Sequence, residues 1–363
     1  MCPKPIYVTE PFLPPLEEYV EYLKGIWDRK LLTNQGPLVR EFEQKIQAYH
    51  GINMAVHCVA NGGLGLQIIL KALGVRGEVI TTPFSYVATA SCPIWEGCGI
   101  KFADIEPDYL TIDPAAVESA IGPDTEAILA THVFGNPCDC EALEAIASKH
   151  GLALIFDAAH AFGVRYKDKS ILEYGDASMV SLHATKLLHA VEGGFAVARD
   201  PSIAVKIEWM RRFGHKGPDE FHGVGVNAKL SELHAAMGLC NLNHLGSILE
   251  KRKQVFAVYD QMIDSDMTLS TLNYREGAAK NYSYYPVFFD SESSLADAVK
   301  RMNKHNILPR RYFYPSLEGV FADNVACCGN ANQFSRRTLC LPLSTSLGKE
   351  QLDMVVSALL NEC

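Results

Sequence analysis

One lysine stands in a stretch of the chain where lysine is costly. Lys186 follows an apolar run from Ala177 to Leu182 and precedes a second one from Phe195 to Ala198, with the small-residue turn Glu192-Gly193-Gly194 between. Both runs have the composition of buried strands. Burying an unpaired ammonium is unfavourable, whereas a lysine whose pKa is lowered by burial can form a Schiff base with a carbonyl. Cofactor chemistry is therefore one explanation of Lys186, and an exposed surface turn is the other.

A glycine-rich turn, Asn61-Gly62-Gly63-Leu64-Gly65, lies upstream and leads into an apolar helical pattern that continues to Leu73. Such a turn at a helix N-terminus favours an anion, because free backbone N–H groups and the helix dipole both face the ligand. It is not the dinucleotide-binding fingerprint, which would need a third glycine where Ile68 stands. Glycines that only shape the entry into the helix are the alternative.

The elements that would position these residues are alternating strands and helices between Glu78 and Ala198. This alternation predicts a mainly parallel sheet with helices on both faces. Ligands of such sheets lie beyond the carboxyl ends of the strands. Several chemically capable residues fall at or near those ends: Gly62, Tyr86, His132, Asp157 and Lys186.

The pattern changes after about residue 246, where long helices and one aromatic strand follow. A chain of 363 residues is long enough for two domains, or for a large domain with a smaller one attached. We predict a large domain at residues 1–245 and a smaller α+β domain at residues 246–363, with the N-terminal segment able to pack on the smaller domain.

The composition of this chain limits the kinds of partner that we expect for it. Its net charge is −9, so no overall basic field would attract nucleic acid or anionic lipid. We see no signal peptide and no run long enough to span a bilayer, and we expect a cytoplasmic protein without nucleic-acid or membrane partners. The 11 cysteines include no Cys-x-x-Cys pair, so we expect neither disulfides nor a metal site.

Pyridoxal 5'-phosphate (PLP) would use this set of residues. It needs a lysine, a carboxylate that keeps the pyridine nitrogen protonated, an anion cradle, and a flat group on the ring face. Lys186, Asp157, the Gly62-Gly63 turn with Ser181, and Tyr86 supply one each. The spacing from Asp157 to Lys186 leaves room for one crossover and a strand.

On these residues the sequence resembles the DegT/DnrJ/StrS aminotransferases, fold-type-I PLP enzymes that act on nucleotide-linked keto-sugars. The resemblance covers nearly the whole chain and implies a mainly parallel seven-stranded sheet sandwiched by helices, plus a smaller α+β C-terminal domain. The segments that carry it are Gly36-Pro37, Thr82–Thr89, His132–Gly135, Asp157–His160, Ser181–Lys186, Glu192–Gly194, Gly225-x-Asn227, Ser231–Ala236 and Leu341–Leu343.

The resemblance implies roles around the cofactor. Lys186 would hold PLP covalently and then serve as base and acid of the proton shift, while Asp157 would pair with the pyridine nitrogen. Tyr86 would stack on the ring, and His160 would lie near the 3-oxygen, where the family has Gln or His. Ser181 would bind the phosphate. The alternatives are structural: a strand-end cap, a core tyrosine or a core histidine.

The resemblance also implies contributions from more distant segments. Asn227 would reach the phosphate bound by the other subunit, which implies a homodimer with shared active sites; an ordinary turn asparagine is the alternative. His183 lies near the cofactor by position, and its role stays open. Gln35 and the cluster Arg310-Arg311-Tyr312 are candidates for contacting the substrate's carboxylate or diphosphate, with surface solvation as the alternative.

The activity implied is amino transfer from L-glutamate to a nucleotide-linked keto-sugar. The sequence of the N-terminal half most resembles the branch that forms dTDP-4-amino-4,6-dideoxyglucose, which implies dTDP-4-keto-6-deoxyglucose as the acceptor. A 3-keto-sugar or UDP-sugar aminotransferase is the alternative within the family, and a non-catalytic binding or regulatory protein is the alternative outside it. A related lysine-free dehydratase is disfavoured, because that branch has histidine where Lys186 stands.

Two glycines depart from the family pattern. The family usually has Thr or Ser where this chain has Gly63, and alanine where it has Gly65. We expect somewhat weaker cofactor anchoring, by the roughly 0.5–1.5 kcal/mol of one net hydrogen bond. A closer approach of this turn to the phosphate is the alternative.

Overall fold

The computed structural model describes residues 4–263, 269–321 and 328–361. The strands are β1 Ile6–Tyr7, β2 His57–Val59, β3 Glu78–Thr81, β4 Gly99–Phe102, β5 Thr125–Thr131, β6 Ala153–Asp157, β7 Arg165–Tyr166, β8 Lys169–Ser170, β9 Ala177–Ser181, β10 Gly194–Ala198, β11 Leu269–Thr271, β12 Tyr285–Phe289, β13 Ile307–Leu308 and β14 Thr338–Leu341. The helices are α1 Leu16–Arg29, α2 Pro37–His50, α3 Gly62–Leu73, α4 Val87–Trp95, α5 Pro114–Ala120, α6 Cys140–His150, α7 Pro201–Met210, α8 Glu232–Asn243, α9 Leu245–Ile263, α10 Glu292–Lys304, α11 Glu318–Phe321, α12 Gly329–Arg337 and α13 Lys349–Leu360.

A seven-stranded sheet in the order β2-β10-β9-β6-β5-β3-β4 forms the centre of the large part. The pairs from β9 across to β4 are parallel, whereas β10 runs antiparallel to both of its neighbours. Apolar side chains on its two faces pack into separate clusters under the flanking helices. The predicted fold, a mainly parallel sheet sandwiched by helices, is confirmed.

Local sequence signals fix where several helices begin. The side chain of Asp113 accepts a hydrogen bond from the N–H of Ala115, and Pro114 occupies the first position of α5. Asp139 caps α6 in the same way. The side chain of Asn61 caps α3 by accepting from the N–H of Leu64, 2.9 Å away.

Left-handed residues limit two strands. Strand β5 ends at Thr131, and Phe134 beyond it adopts a left-handed φ of 55° that ends the extended path. Strand β12 begins at Tyr285, and Tyr282 before it has a φ of 53°.

The C-terminal part contains a three-stranded antiparallel sheet, β11-β12-β14, with its own apolar cluster. The N-terminal strand β1 pairs with β13, and Ile6 packs into this second cluster. Helix α9 joins the two parts, because its beginning packs in the first core and its end in the second. The domain boundary at residue 245 stays a prediction and falls at the start of this shared helix. No helix in the described ranges is both long and apolar enough to cross a membrane.

Candidate active site

The carboxyl ends of the central strands converge on one cavity of about 260 Å³. Helix α3 begins there after β2, and Asp157 is the last residue of β6. Lys186 lies in the connection between β9 and β10. Residues predicted for the cofactor that line the cavity include Gly62, Gly63, Tyr86, Asp157, His160 and Ser181. His183, Lys186, Arg310 and Tyr312 line it as well.

Lys186 presents its amine to the interior of this cavity. Its Nζ donates to the hydroxyl oxygen of Tyr284, 3.3 Å away. Burial lowers the pKa of Lys186 to about 8, and the negative charge of the Asp157 carboxylate opposes that shift. The amine therefore releases its proton far more readily than a surface lysine does.

Asp157 is a buried carboxylate, 4% exposed, with fixed hydrogen-bond donors. Its Oδ1 accepts from the backbone N–H of Ala159 at 3.0 Å, and its Oδ2 accepts from the Thr89 hydroxyl at 2.8 Å. Burial raises the pKa of Asp157, while these two donors and the charge of Lys186 act to lower it. Two of the carboxylate's lone-pair positions are thus used, and others remain for a ligand.

His160 is held as a neutral donor. Its Nδ1 accepts from the backbone N–H of Phe134 at 3.2 Å, so the ring proton lies on Nε2. Burial keeps the pKa of His160 well below its ordinary value. The ring packs 4.4 Å from that of Tyr284 and 5.8 Å from that of Phe313, centre to centre, which fixes its orientation.

The first turn of α3 forms an anion cradle. The initial N–H groups of a helix have no partner within it, and here they belong to Gly62 and Gly63. Ser181, at the end of β9, lines the same region. A Cβ on Gly62 would lie 2.8 Å from the sulfur of Met179, so a larger residue here would displace the methionine side chain.

The two glycines that depart from the family pattern differ in their surroundings. A Cβ on Gly65 would lie 2.9 Å from Cγ of Met179, so the methionine occupies the space of an alanine methyl. A Cβ on Gly63 would lie 3.4 Å from Asn61 Oδ1 and 3.6 Å from Cys92 Sγ, with no severe contact. Gly63 therefore leaves room for the side chain that it lacks.

The rim of the cavity carries the more exposed groups. Tyr86 is 53% exposed and immediately precedes α4. The Arg310 guanidinium lies 5.0 Å from the ring centre of Tyr312. His183 accepts on Nδ1 from the N–H of Thr185 at 3.3 Å, so its Nε2 carries the proton.

Four residues singled out from the sequence do not line this cavity. Gln35 donates instead to Glu208. The Arg311 guanidinium pairs with Glu292 at 2.7 Å.

The other two are Asn227 and His132. The exposed Asn227 side chain accepts from Lys229 within its own chain. His132 is fully buried, stacks on Phe156 with ring centres 4.5 Å apart, and accepts on Nδ1 from the N–H of Cys138. Its surroundings are those of a core histidine.

Sequence reasoning missed Tyr284, Thr89 and Met179. Tyr284 and Thr89 form hydrogen bonds with predicted site residues, and Met179 lines the cavity and pairs with Asp157 in the sheet. Tyr284 stands in an aromatic strand pattern that reads as core, and Met179 stands inside a buried strand. For Thr89, the signal available was its place in the segment Thr82–Thr89, which carries the resemblance.

The donor set fits PLP. The cavity combines an amine with a lowered pKa, a buried carboxylate held by two donors, and a neutral histidine with its proton on Nε2. The first turn of α3, with the free N–H groups of Gly62 and Gly63, supplies the anion cradle. Each of the four matches a different part of the cofactor: aldehyde, pyridine nitrogen, 3-oxygen and phosphate.

Comparisons with known proteins point to one family. The DegT/DnrJ/EryC1/StrS aminotransferase family model matches residues 16–360. A dTDP-4-amino-4,6-dideoxy-D-glucose transaminase of Shigella dysenteriae is 39% identical over 362 residues, covering 98% of both chains. A transaminase of the same description from Escherichia coli is 35% identical over 374 residues, covering 100% of both. The crystal structure of DesI in the presence of its TDP-sugar product matches with a TM-score of 0.92 at 30% identity, covering 99% of this chain and 94% of that one.

Proposed function

Because this chain belongs to the DegT/DnrJ/EryC1/StrS aminotransferase family, we propose that it transfers an amino group from L-glutamate to dTDP-4-keto-6-deoxyglucose. The product is dTDP-4-amino-4,6-dideoxyglucose, and 2-oxoglutarate leaves. The observation that carries the choice of sugar is the 39% identity to a transaminase of that description over 98% of both chains. The cavity around Lys186 supports the chemistry.

The residues that would hold PLP are those of the cavity. Asp157 would bind the protonated pyridine nitrogen, and the Nε2–H of His160 would donate to the 3-oxygen. The N–H groups of Gly62 and Gly63, with Ser181, would bind the phosphate, and Tyr86 would cover the ring. When bound, PLP supplies an aldehyde that forms Schiff bases with amines and a ring that accepts electron density.

Lys186 would move the proton. Because the pKa of Lys186 is lowered to about 8, its Nζ can take a proton from one carbon atom and return it to another. Tyr284, 3.3 Å from this nitrogen, fixes the position from which it acts. In the first half of the cycle the proton comes from glutamate, and in the second it goes to C4 of the sugar.

Arg310 would bind a substrate anion at the rim. Its guanidinium lies over Tyr312 at the cavity, and no carboxylate within the described residues forms an ion pair with it. Both substrates are anionic, through glutamate's carboxylates and the sugar's diphosphate. Arginine suits either group, since its planar fork matches two oxygens at once.

A homodimer completes this proposal. An apolar groove runs along α3 and α4 and ends at the segment before Asn227, with Trp95 83% exposed and Val224 89% exposed. Exposed apolar surface of this kind marks an interaction site. The groove includes both α3, whose first turn is the anion cradle, and residues 224–226. In a two-fold dimer seated on this groove, each copy would bring its Asn227 segment towards the cavity of the other.

The proposal is tested by incubating the purified protein with PLP, glutamate and each of two acceptors, and identifying the products by mass spectrometry. We expect amination of dTDP-4-keto-6-deoxyglucose and none of a UDP-linked 3-keto-sugar. Amination of the UDP-sugar alone would reassign the substrate. A protein that binds PLP but aminates neither sugar would support the non-catalytic alternative.

A further inference from the structure

Three hydroxyl side chains form a hydrogen-bonded series that ends on the carboxylate of Asp157. Thr131 Oγ1 lies 3.0 Å from Ser85 Oγ, which lies 2.8 Å from Thr89 Oγ1, which donates to Asp157 Oδ2 at 2.8 Å. All four residues are buried, with at most 4% of their surface exposed. Buried hydroxyls have few alternative partners, so these contacts define their orientation.

Counting protons gives the direction of each hydrogen bond in this series of hydroxyls. An ionised carboxylate only accepts hydrogen bonds, and each hydroxyl donates one. The proton of Thr89 goes to Asp157, so Ser85 must donate to Thr89 and Thr131 must donate to Ser85. Every O–H dipole then points its positive end towards Asp157, and successive bonds strengthen one another.

The four residues connected by these hydrogen bonds come from different elements of the fold. Thr131 and Asp157 end the neighbouring strands β5 and β6 and are partners in the sheet register. Ser85 lies between β3 and α4, and Thr89 lies in the first turn of α4. The chain therefore ties three parts of the sheet edge to one carboxylate.

We propose that the chain Thr131–Ser85–Thr89 is a positioning device that keeps Asp157 ionised and correctly oriented for the pyridine nitrogen. This inference rests on the proposed function, because it assigns PLP to the cavity. Thr89 is fully buried and acts through Asp157, which makes it a positioning residue. Other titratable groups coupled to Asp157 are Lys186 and Cys92; burial raises the pKa of Cys92 to about 12, so this thiol stays neutral near pH 7.

The test uses the full-length protein with the variants Thr89→Val and Thr89→Ser. Valine keeps the shape and removes the donor, so we expect the PLP dissociation constant to rise at least about tenfold near neutral pH, as for the loss of a hydrogen bond to a charged group. The acid limb of PLP binding should move to higher pH, because Asp157 then takes up a proton more easily. Thr89→Ser keeps the hydroxyl, so its PLP dissociation constant and its acid limb should stay close to those of the wild-type protein.

Thr81→Val is the matched control. Thr81 is also fully buried, and its hydroxyl donates to the carbonyl of Leu129 at 2.7 Å, outside the chain of hydroxyls. This variant should lose stability with little change in PLP affinity or in the acid limb. A Thr89→Val protein that binds PLP as Thr81→Val does, with the same acid limb, would overturn the inference.

Ser85→Ala is the second test, for use if Thr89→Val does not fold. It removes the hydroxyl one step further from Asp157, so the acid limb of PLP binding should move in the same direction by less. An unmoved acid limb would overturn the inference. A wild-type protein that binds PLP but aminates no sugar contradicts the proposed function alone, because the hydroxyl chain is judged on PLP binding.

Discussion

The side-chain nitrogen of Lys186 lies 3.3 Å from the hydroxyl oxygen of Tyr284, a contact between residues 98 positions apart in the sequence. Tyr284 immediately precedes β12 of the smaller sheet, whereas Lys186 follows β9 of the central sheet. The tyrosine ring is only 3% exposed and packs against His160. The amine is thus oriented by a group from the other side of the cavity.

Replacing Tyr284 by phenylalanine should slow proton transfer without releasing PLP. The variant keeps the ring that packs on His160 and removes the hydroxyl that positions Nζ of Lys186. We expect kcat to fall by about tenfold or more, the effect of losing a hydrogen bond to a charged group, with little change in the PLP dissociation constant. Steady-state kinetics and PLP titration measure the two quantities.

Tyr259→Phe is the control for this variant. The hydroxyl of Tyr259 is also buried and donates to the carbonyl of Pro342 at 2.7 Å, but it lies in the second core, away from Lys186. Its loss should affect stability and leave kcat near the wild-type value. Equal kcat values for the two variants would argue against a positioning role of Tyr284.

The pH dependence of PLP capture should report the lowered pKa of Lys186. Only the unprotonated amine attacks an aldehyde, and burial brings the pKa of Lys186 to about 8. The rate of PLP capture by the apoprotein should therefore rise with pH and level off above about pH 8. Stopped-flow absorbance measures this rate. A rate that keeps rising towards pH 10, as for an exposed lysine, would show that Nζ is not desolvated.

Gly63→Ser should tighten PLP binding. The structure leaves space for a Cβ at this position, and serine would add a hydroxyl beside the anion cradle. We expect the PLP dissociation constant to fall by about twofold to tenfold, the range of one net hydrogen bond. Gly65→Ala should give no such gain, because its Cβ would meet Met179 at 2.9 Å. Weaker binding by the serine variant would indicate that the turn needs glycine to approach the phosphate.

Arg310 and Arg311 form a matched pair for testing anion binding. Arg310 lines the cavity, whereas Arg311 pairs with Glu292. We expect Arg310→Gln to raise the KM of an anionic substrate by about tenfold, as for a lost charge-assisted bond, and Arg311→Gln to leave both KM values unchanged. Varying glutamate and the dTDP-sugar in turn identifies the anion. Unchanged KM values for both substrates in Arg310→Gln would remove it from the site.

The sequence predicts the part of the site that depends on strand order. Alternating patterns place Asp157 and Lys186 at the ends of neighbouring strands, and the sheet brings such ends to one edge. The direction of individual side chains is not contained in those patterns. Arg310 and Arg311 are neighbours with the same chemistry, and only the path of the backbone decides which one reaches the cavity.

Local sequence patterns also do not predict contacts between the two parts of the chain. Tyr284 belongs to a run of aromatic residues whose spacing is that of any core strand. Its contact with Lys186 requires the smaller sheet to dock against the central one. Gln35 illustrates the converse, because its pairing with Glu208 of α7 depends on where a polar loop packs.

The most direct measurement is the visible absorbance of the PLP-loaded protein during the two half-reactions, beside a Lys186→Ala variant. We predict that glutamate abolishes the absorbance of the lysine-bound cofactor and that dTDP-4-keto-6-deoxyglucose then restores it, while Lys186→Ala shows neither change. Loss without recovery would contradict the assigned sugar. A wild-type protein that shows no lysine-bound absorbance at saturating PLP would contradict the central claim that Lys186 carries the reaction.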